Sequence, residues 1–361
     1  MKVCHLSVLH YRFDTRILVK QCASLHRAGH EVHFLVADGL GSETSNGIQI
    51  HDAGLRPRML RRITTFQRQF LKKALAIDAR VYHFHDPELM RLGLQLKRQG
   101  KKVIMDVHED VPRQILGEKS NFRNNVISKL IESLEKYTSP RFDAVITASP
   151  IVKKRFEQYG GRVENISNFP ALTNFPVATV KKKYDLVYVG SISALRGIRE
   201  TLLAIEGTDI SYALAGDFQG ANFEKSLREL PAWRENTTYL GFIEEIGTIS
   251  KLLSQSHIGM NNLLPYPSFP TAISVKMFEY MAAGIPQIST NFPFWQSIID
   301  KHQCGICIDS EDPASLKKGI QRLLQDKATA RKMGENGRRA IMKHYNWTQE
   351  EAKLLNLYQT L

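Results

Sequence analysis

Residues 274–286 read Ser-Val-Lys-Met-Phe-Glu-Tyr-Met-Ala-Ala-Gly-Ile-Pro. The pattern predicts a short helix that passes through Gly284-Ile285-Pro286 into an apolar strand at 287–289. A helix that leads into a short apolar strand is one step of a strand–helix alternation. Sheets built from such steps are parallel and have right-handed crossover connections.

Outward from this segment, apolar strands alternate with helices along the whole chain. The second half has strands at 186–189, 212–215, 238–240, 258–261, 287–289 and 305–308, each followed by a helix. The first half has strands at 2–9, 31–37, 48–51, 81–85, 102–107 and 144–147, with helices at 14–28 and 87–99. Asp14 can cap the helix at 14–28, and Gly29 supplies the left-handed residue that ends it. The pattern predicts two open α/β sheets.

A break in this alternation divides the chain. The stretch at 169–184 contains two prolines, lacks clear periodicity and includes three consecutive lysines, so we interpret it as an interdomain linker. It separates an N-terminal domain at 1–168 from a C-terminal domain at 185–345, and a last helix at 346–361 can pack back on the first domain. Ligands of open parallel sheets bind beyond the carboxyl ends of the strands, and two facing sheets would make a cleft.

Composition and charge narrow the class of protein. With 43% hydrophobic and 24% charged residues, the chain is typical of a soluble globular protein. The formal net charge is +13, and it is concentrated in residues 1–175, which hold 28 basic and 17 acidic residues. A field of this sign attracts polyanions, so nucleic acid, anionic lipid headgroups and phosphorylated substrates are all candidate partners.

The cysteines and the hydropathy pattern indicate a cytoplasmic protein. No run of eighteen apolar residues occurs, and the N-terminus passes straight into a strand without a signal peptide's apolar stretch. Cys4 and Cys22 lie in segments that we expect to be buried. Cys304 and Cys307 form Cys-Gly-Ile-Cys, but a zinc ribbon needs a second pair. A buried strand is therefore favoured over a metal or redox site.

The turn at 188–197 is a candidate anion site. It reads Tyr-Val-Gly-Ser-Ile-Ser-Ala-Leu-Arg-Gly, follows a strand and opens a helix, so backbone N–H groups and the helix dipole face an incoming anion. Gly190, Ser191 and Gly197 belong to this site, and Arg196 would stabilise a leaving phosphate without a metal ion. Such turns also serve purely for packing, so the motif alone leaves both interpretations open.

Taken together, the Arg196-Gly197 turn and the helix that contains Glu279 resemble the C-terminal domain of retaining GT-B glycosyltransferases of family four. This large family includes many bacterial polysaccharide-assembly enzymes, and the resemblance covers nearly the whole chain. It implies two Rossmann-like domains facing across a cleft and transfer of a sugar from a nucleoside diphosphate sugar, with UDP favoured over GDP. The implied acceptor is a lipid-linked saccharide in the assembly of O-antigen, capsule or exopolysaccharide.

The resemblance assigns donor binding to the second half. Glu279 would accept hydrogen bonds from the ribose hydroxyls of the donor, and Lys276 would lie near its diphosphate or sugar. The other donor-binding positions that we assign are Phe242, Thr271, Ser274 and Val275. Thr271 stands where the family has a glutamate eight residues before Glu279, which leaves the usual sugar contact of that glutamate in question. The segment at 241–243 fits either a contact with the nucleotide base or a plain turn with a buried phenylalanine.

Three polar clusters follow strand ends in the first half, at 10–17, 83–89 and 105–110. Several acid and histidine groups at corresponding strand ends favour a functional site over isolated structural histidines. By resemblance, His108 would contact the transferring sugar, and the acceptor would meet a set of six residues: His10, Asp14, Arg16, His85, Asp86 and Glu109. The residues expected to act in catalysis are His108, Arg196 and Lys276. The leaving diphosphate itself would help to deprotonate the acceptor.

The segment at 56–73 combines many cations with apolar residues at near-helical spacing. The apolar positions are Met59, Leu60, Ile63, Phe66 and Phe70. The pattern predicts a basic amphipathic helix, which can lie on an anionic membrane, as would suit a lipid-linked acceptor. The alternative is that the apolar face packs on the sheet.

Two other functions remain open. A sugar-nucleotide epimerase or hydrolase could use the same fold, and a polyanion-binding protein could use the positive field, although no nucleic-acid reading module is evident. The chain lacks an Asp-x-Asp motif in a suitable loop, and Asp106, Glu109 and Asp110 do not form one. We therefore expect no cofactor and no required metal.

Overall fold

A computed structural model describes residues 1–117, 121–176 and 180–361, so residues 177–179 of the predicted linker lie outside the described part. The chain forms two compact units. The first unit is Met1–Asn168 together with Thr348–Leu361, and the second is Phe169–Trp347. Each unit is built on one α/β sheet, which confirms the predicted fold class.

The first unit contains an eight-stranded sheet in the order β3-β4-β2-β1-β5-β6-β7-β8. Its strands are β1 (Lys2–Leu6), β2 (Glu31–Val36), β3 (Glu43–Ser45), β4 (Ile48–Asp52), β5 (Val81–Phe84), β6 (Lys102–Val107), β7 (Ala144–Thr147) and β8 (Val163–Asn165). All neighbours pair in parallel except β3, which runs antiparallel to β4 at the edge. The short edge strands β3 and β8 were not predicted.

Helices connect these strands: α1 (Ala23–Arg27), α2 (Met59–Arg62), α3 (Thr65–Ile77), α4 (Met90–Arg98), α5 (Val111–Leu116), α6 (Phe122–Thr138) and α7 (Pro150–Glu157). The first connection begins with a π-helix at Thr15–Cys22 that continues into α1. As predicted, the Asp14 carboxylate accepts hydrogen bonds from the backbone N–H groups of Arg16 and Ile17, and Gly29 has a positive φ of 84°. The wider π turn is a departure from the expected α-helix.

The basic segment at 56–73 is not one amphipathic helix. It breaks at Ile63 and Thr64 between α2 and α3, and its apolar residues separate into two groups. Phe66 and Phe70 of α3 are buried in the core of the first unit, whereas Met59 and Leu60 of α2 are exposed. The packing alternative therefore holds for Phe66 and Phe70 of α3, whereas Met59 and Leu60 of α2 and the adjoining Ile63 present apolar surface to solvent.

The second unit contains a six-stranded parallel sheet in the order β11-β10-β9-β12-β13-β14. Its strands are β9 (Tyr184–Val189), β10 (Tyr212–Ala215), β11 (Thr237–Tyr239), β12 (Ser256–Asn261), β13 (Gln287–Thr290) and β14 (Gly305–Ile308). Its helices are α8 (Ile198–Ile205), α9 (Ala221–Arg228), α10 (Pro231–Glu235), α11 (Ile246–Ser254), α12 (Val275–Ala283), α13 (Pro293–His302), α14 (Pro313–Gln325) and α15 (Lys327–His344). Hydrophobic clusters cover this sheet.

The Cys-Gly-Ile-Cys motif runs into strand β14, as predicted. Cys304 is fully buried and Cys307 is half-buried. Burial raises the pKa of both thiols to about 12, so both remain protonated and poor metal ligands or nucleophiles near neutral pH.

The last helix, α16 (Trp347–Gln359), places its residues from Thr348 onward in the first unit. The Glu350 carboxylate accepts a hydrogen bond from the Ser167 backbone N–H at 2.8 Å. Leu354, Leu357 and Tyr358 are buried. Among the described residues, no helix has the length and apolar character needed to span a membrane.

Truncation of the buried Leu357 should loosen the first unit selectively. Leu357→Ala is expected to cost about 2–5 kcal/mol, because it leaves a cavity in a filled core. Hydrogen–deuterium exchange should then be faster in β1, β5 and β6 and unchanged in β9 to β14. Leu60→Ala, at a position that is 76% exposed, is the control and should change stability by less than about 0.5 kcal/mol. Unchanged exchange in Leu357→Ala would contradict this role of α16.

Candidate functional site

The predicted glycine turn lies at the carboxyl end of β9 in the second unit. The backbone N–H of Gly190 donates to the Ala215 carbonyl at 2.9 Å, and the N–H of Ile192 donates to Asp217 at 2.8 Å. A Cβ atom on Gly216 would lie 1.8 Å from the Gly190 carbonyl oxygen. The loops after β9 and β10 are therefore in direct backbone contact, which only glycine at 216 permits.

Gly197 fixes the start of α8 by a second close approach. Its φ is 69°, and a Cβ atom there would lie 1.9 Å from the Asn262 carbonyl oxygen. The Asn262 amide donates to the Gly197 carbonyl at 2.9 Å, and the Leu264 N–H donates to Leu195 at 3.0 Å. The loop after β12 thus holds the turn that carries Arg196.

Two cations converge beside this turn. The Lys276 Nζ atom lies 5.2 Å from the centroid of the Tyr188 ring. A Cβ atom on Gly190 would lie 3.6 Å from the same Nζ atom. The Arg196 guanidinium lies 5.5 Å from the Phe269 ring centroid. Burial and then the charge of Arg196 lower the pKa of Lys276 to about 7, against the opposing effect of Glu279. In the free protein the site disfavours the charged form of Lys276. A bound anion would favour that charged form.

The start of α12 completes this group. Ser274 is buried and its hydroxyl donates to the Asn261 side chain at 2.7 Å. Thr271 is also buried, and its hydroxyl donates to the Ser268 carbonyl at 3.0 Å. Val275 and Glu279 are partly exposed. The structure therefore brings Lys276 to the turn that carries Gly190 and Arg196, and it turns the Thr271 hydroxyl onto the backbone.

Phe242 lies in the loop after β11. The Gly216 N–H donates to the Gly241 carbonyl at 2.7 Å, which ties the loop after β11 to the loops after β9 and β10. Phe242 itself is 65% exposed. The alternative of a turn with a buried phenylalanine is therefore wrong for this residue.

In the first unit, Asp86 anchors the loop after β1. One carboxylate oxygen accepts hydrogen bonds from the backbone N–H groups of Val8 at 2.5 Å and Leu9 at 3.3 Å, and from the Ser7 hydroxyl at 3.0 Å. The other lies 2.9 Å from Nδ1 of His10. Burial alone would lower the pKa of His10, but the hydrogen bond and the charge of Asp86 raise it. Asp86 is buried and holds His10 in place.

Asp106 lies at the centre of the first-unit cluster. It is buried, and its two oxygens accept hydrogen bonds from Nη2 and Nε of Arg16 at 2.7 and 3.0 Å and from the Gln21 side chain at 2.8 Å. Burial would raise the pKa of Asp106, but Arg16 and the nearby histidines lower it well below its usual range. Arg16 also donates to the Ile166 carbonyl at 2.8 Å. Arg16 was predicted to meet the acceptor, and the structure commits it to this internal ion pair.

A line of histidines leads from the interior to His108. Nδ1 of His5 lies 2.9 Å from Nε2 of His85, and Nδ1 of His85 lies 3.1 Å from Nε2 of His108. His5 and His85 are buried, while the His108 side chain keeps 17% of its surface exposed. Of the predicted residues, His85 is therefore internal and His108 is the exposed end. Sequence reasoning missed His5, because a single histidine inside an apolar strand carries no signal.

The remaining predicted acceptor residues lie at the surface or at a helix cap. Asp14 is occupied in capping the π-helix. Glu109 is exposed and accepts a hydrogen bond from the Gln114 side chain at 2.7 Å. Of the predicted acceptor set, His10, Asp14 and Glu109 keep exposed side-chain surface, and His10 does so while bonded to the buried Asp86.

In the described part of the chain, two groups of three side chains have donor atoms close enough to hold a metal ion. They are His5, His83 and His85, and His85, Asp106 and His108, with the donor atoms of each group within 4.8 Å of one another. The oxygen of Asp106 that faces His85 and His108 already accepts from Arg16 and Gln21. A cation there would adjoin the Arg16 guanidinium, so the second group fits a hydrogen-bond cluster better than a metal site.

The close approach at Gly197 can be tested against a matched glycine. Gly207 has nearly the same positive φ, 71°, but a Cβ atom there would have no other atom within 4 Å. Gly207→Ala should cost about 1–2 kcal/mol of left-handed strain, whereas Gly197→Ala should cost more because the Asn262 backbone must move. Trp233, Trp295 and Trp347 all belong to the second unit, so tryptophan fluorescence in urea reports its unfolding. Equal losses in both variants would contradict the close approach.

Comparison with known proteins agrees with this architecture. The chain is 22% identical over 178 residues to an uncharacterized glycosyltransferase of Methanocaldococcus jannaschii, a match that spans 48% of this chain and 44% of that relative. This chain shares its fold with sucrose-phosphate synthase of Thermosynechococcus elongatus, at a TM-score of 0.81 and 19% identity. The match covers 99% of this chain and 98% of the synthase chain. The Anabaena protein HepE in complex with UDP-glucose is similar too, at a TM-score of 0.74, 14% identity and full coverage of both chains.

Two family models match successive parts of the sequence. Residues 15–170 match the model described as Glycosyltransferase Family 4, and residues 173–340 match the model described as Glycosyl transferases group 1. Between them they account for nearly all of both units. The chain therefore belongs to the family 4, group 1 glycosyltransferases and has their GT-B fold of two Rossmann-like units.

Proposed function

We propose that this protein is a retaining glycosyltransferase that moves a sugar from a nucleoside diphosphate sugar to a saccharide. The observation that carries the proposal is the juxtaposition of Arg196 and Lys276 beside the glycine turn after β9. There burial, and then repulsion by Arg196, lower the pKa of Lys276 to about 7. A diphosphate would neutralise both cations and accept hydrogen bonds from them, so the site is suited to that anion.

In the proposed reaction, the positive charge of Arg196 and Lys276 matters most when the bond between the sugar and the diphosphate breaks. The bond between the anomeric carbon of the sugar and the diphosphate oxygen is cleaved, and the new bond forms to an acceptor hydroxyl oxygen. The acceptor proton passes to the departing diphosphate. Arg196 and Lys276 stabilise the negative charge that develops on that leaving group, and Glu279 accepts hydrogen bonds from the ribose hydroxyls. His108 contacts the transferring sugar.

We favour UDP over GDP as the nucleotide. HepE, which shares the fold over its full length, forms complexes with UDP and with UDP-glucose. The exposed Phe242 after β11 is our candidate for contact with the base, and the loop that carries it is bonded to the loop after β10. With Thr271 in place of the family glutamate, we propose that sugar recognition in this protein depends less on a carboxylate.

We propose a lipid-linked acceptor in bacterial surface polysaccharide assembly, handled at the cytoplasmic face of a membrane. The support is helix α2, whose apolar side chains Met59 and Leu60 are 61% and 76% exposed. The cations around them are Arg56, Arg58 and Arg61. Exposed apolar groups among cations are suited to an anionic lipid surface.

Two rival functions make different predictions. A sugar-nucleotide epimerase or hydrolase on this fold would form products in the absence of an acceptor, whereas a transferase needs one. A polyanion-binding protein that uses the positive first unit would bind arbitrary DNA in a salt-dependent way and would show no affinity for nucleotide sugars. The cations beside the glycine turn lie in the second unit, which carries little of the net charge, and therefore favour a local diphosphate site.

Nucleotide binding should stabilise the second unit through Arg196 and Glu279. A nucleotide at a hundred times its dissociation constant adds about 2.7 kcal/mol, so UDP or GDP should raise the melting temperature followed by tryptophan fluorescence. Arg196→Ala and Glu279→Ala should lose this shift. The exposed Arg199→Ala, three residues from Arg196, is the matched control and should keep it.

The same titration in EDTA tests the proposed independence from metal, and the shift should persist. Full retention of UDP and GDP binding by both Arg196→Ala and Glu279→Ala would reject the donor site. Transfer that EDTA abolishes and magnesium restores would reject the proposed role of the two cations in departure of the diphosphate.

Diphosphate binding should also draw a proton onto Lys276. The free protein has a Lys276 pKa of about 7, so this lysine is mostly neutral at about pH 8. A bound diphosphate favours the charged form and raises the pKa, so binding takes up a proton and the affinity falls as pH rises above 7. Calorimetry in Tris and in HEPES at about pH 8 should give binding enthalpies that differ by the uptake of up to about one proton.

Lys276→Met is the control for this linkage, because it keeps an unbranched side chain and removes the titrating group. It should bind UDP more weakly and without a buffer-dependent enthalpy. If the wild-type protein took up no proton, the assignment of Lys276 to the diphosphate would be wrong.

A further inference from the structure

Helix α6 carries a row of exposed apolar side chains along its outer face. Phe122 is 85% exposed, Leu130 64% and Tyr137 54%, and Val126 between the first two is 40% exposed. With 3.6 residues per turn, these four positions lie within an arc of about 80° on the helix surface. Single exposed apolar residues need no explanation, but a row of them along a helix of 17 residues indicates a contact surface. We call these four residues the α6 stripe.

The opposite face of α6 packs on the first unit. Ser128 is buried and its hydroxyl donates to the Pro112 carbonyl at 2.8 Å. Leu134 packs against the hydrophobic core, and Thr138 is buried at the end of the helix. The α6 stripe is therefore a second apolar face, additional to the one that anchors the helix on the sheet.

Cations line both edges of the α6 stripe. Helical spacing places Arg123 on one edge and Lys129 and Lys136 on the other, and all three residues are exposed. At the C-terminal end, the Arg141 guanidinium lies 3.7 Å from the centroid of the Tyr137 ring. Positive charge therefore surrounds the apolar surface.

The two acids of α6 are engaged away from the α6 stripe. Glu132 accepts a hydrogen bond from the Tyr159 hydroxyl at 3.2 Å, and Glu135 is buried and paired with an arginine of α7. The serine in the middle of the arc, Ser133, donates its hydroxyl hydrogen to the Lys129 carbonyl at 2.8 Å, so this group keeps its hydrogen bond when water leaves. The surface is thus apolar along its centre and positive at its edges.

We infer that the α6 stripe is a docking surface for an anionic phospholipid bilayer, with the helix lying in the plane of the headgroups. Lipid phosphates would neutralise the cations, and the apolar side chains would enter the boundary of the acyl chains. The aromatic ends of the stripe, Phe122 and Tyr137, are of the kind that interfacial helices use.

Charge decides between a bilayer and a second copy of the chain. Two copies that packed stripe against stripe would bring the cations of both edges together. Neither Glu132 nor Glu135 is placed to compensate them. Like charges brought together across an interface oppose association, whereas an anionic bilayer offers the opposite sign along the whole helix.

The inference deepens the proposed function, and it rests on that function only for the purpose of docking, which is to reach a lipid-linked acceptor. The helix ends shortly before β7 begins, at the amino edge of the sheet, so Phe122 at its start lies toward the carboxyl edge. His108 follows β6 at that carboxyl edge. Docking through α6 would therefore bring the bilayer toward the edge where the acceptor is expected.

Phe122→Trp provides a reporter of docking in the first unit. The three native tryptophans are buried and belong to the second unit, so they respond little to lipid. Vesicles of phosphatidylcholine with about 30% phosphatidylglycerol should shift the emission of the introduced indole to shorter wavelength, and lipids brominated on their acyl chains should quench it. Pure phosphatidylcholine should bind at least about tenfold more weakly, and added NaCl should weaken binding to the anionic vesicles.

Leu130→Glu places an acid within the α6 stripe and should weaken cosedimentation with the anionic vesicles by more than about tenfold. Met342→Glu is the matched control and should bind as the wild type does. Met342 is 58% exposed on α15 of the second unit and lies near Arg339 and Lys343 in sequence, so the substitution makes a similar change in charge and apolar surface. Circular dichroism should show unchanged melting of both variants, because both positions are exposed.

Four results would overturn the inference. They are absence of wild-type binding to the anionic vesicles, equal binding to pure phosphatidylcholine, binding that Leu130→Glu leaves unchanged, and a dimer in sedimentation velocity that Leu130→Glu dissociates. The dimer would assign the surface to a second copy. In the third case, loss of binding in Leu60→Glu would assign the bilayer contact to α2 instead.

These measurements need no nucleotide sugar, so they separate the inference from the proposed function. Lipid binding through α6 by a protein without transferase activity would reject the proposed function and leave the docking surface standing. Transfer to a soluble saccharide by a protein that binds no vesicles would reject the docking surface and leave the transferase standing.

Discussion

Burial of the Asp106 carboxylate is the constraint around which the first unit is organised. An ionised carboxylate without water is costly unless charge and hydrogen bonds compensate it. Arg16 supplies the charge and Gln21 a further donor, and both come from the π-helix after β1. His85 and His108 then lie beside the same oxygen. The ion pair thus ties that helix to the strand end from which His108 projects.

The second unit presents the opposite electrostatic situation. Close backbone approaches at Gly197 and Gly216 bring three strand-end loops together, and the side chains that meet there include two cations. Asp106 has its counterion within the fold, whereas Lys276 has a lowered pKa because burial and Arg196 both act against its charge. A charge that is compensated within the fold, as on Asp106, serves structure. A group whose charged form the fold disfavours, such as Lys276, is suited to binding a ligand of opposite charge. This contrast explains why the two sites differ in the kind of group they can engage.

The fold could be predicted wherever short-range patterns decide it. Strands β6, β7, β10 and β14 begin and end where predicted, and β7 and β10, which are buried along their whole length, are mostly apolar. The edge strands β3 and β8 are short and polar, so they carry no apolar run. The division between α2 and α3 was missed because helical spacing does not tell a face that packs on the sheet from one that meets solvent. The π-helix at Thr15–Cys22 was missed because its i→i+5 hydrogen bonds extend over only eight residues, too few for its wider spacing to show in the apolar pattern.

The two candidate sites also differ in how far the sequence could predict them. The turn at 188–197 and the helix that contains Glu279 are contiguous motifs, and sequence analysis could identify them. The line of histidines from His5 through His85 to His108 is assembled from β1 and the ends of β5 and β6, and His5 alone is indistinguishable from core. Only the sheet order, with β5 beside β1 and β6, brings these side chains together. Because His108 contacts the buried His85 and Asp106, substitutions that sequence patterns would class as core packing change the surroundings of its ring.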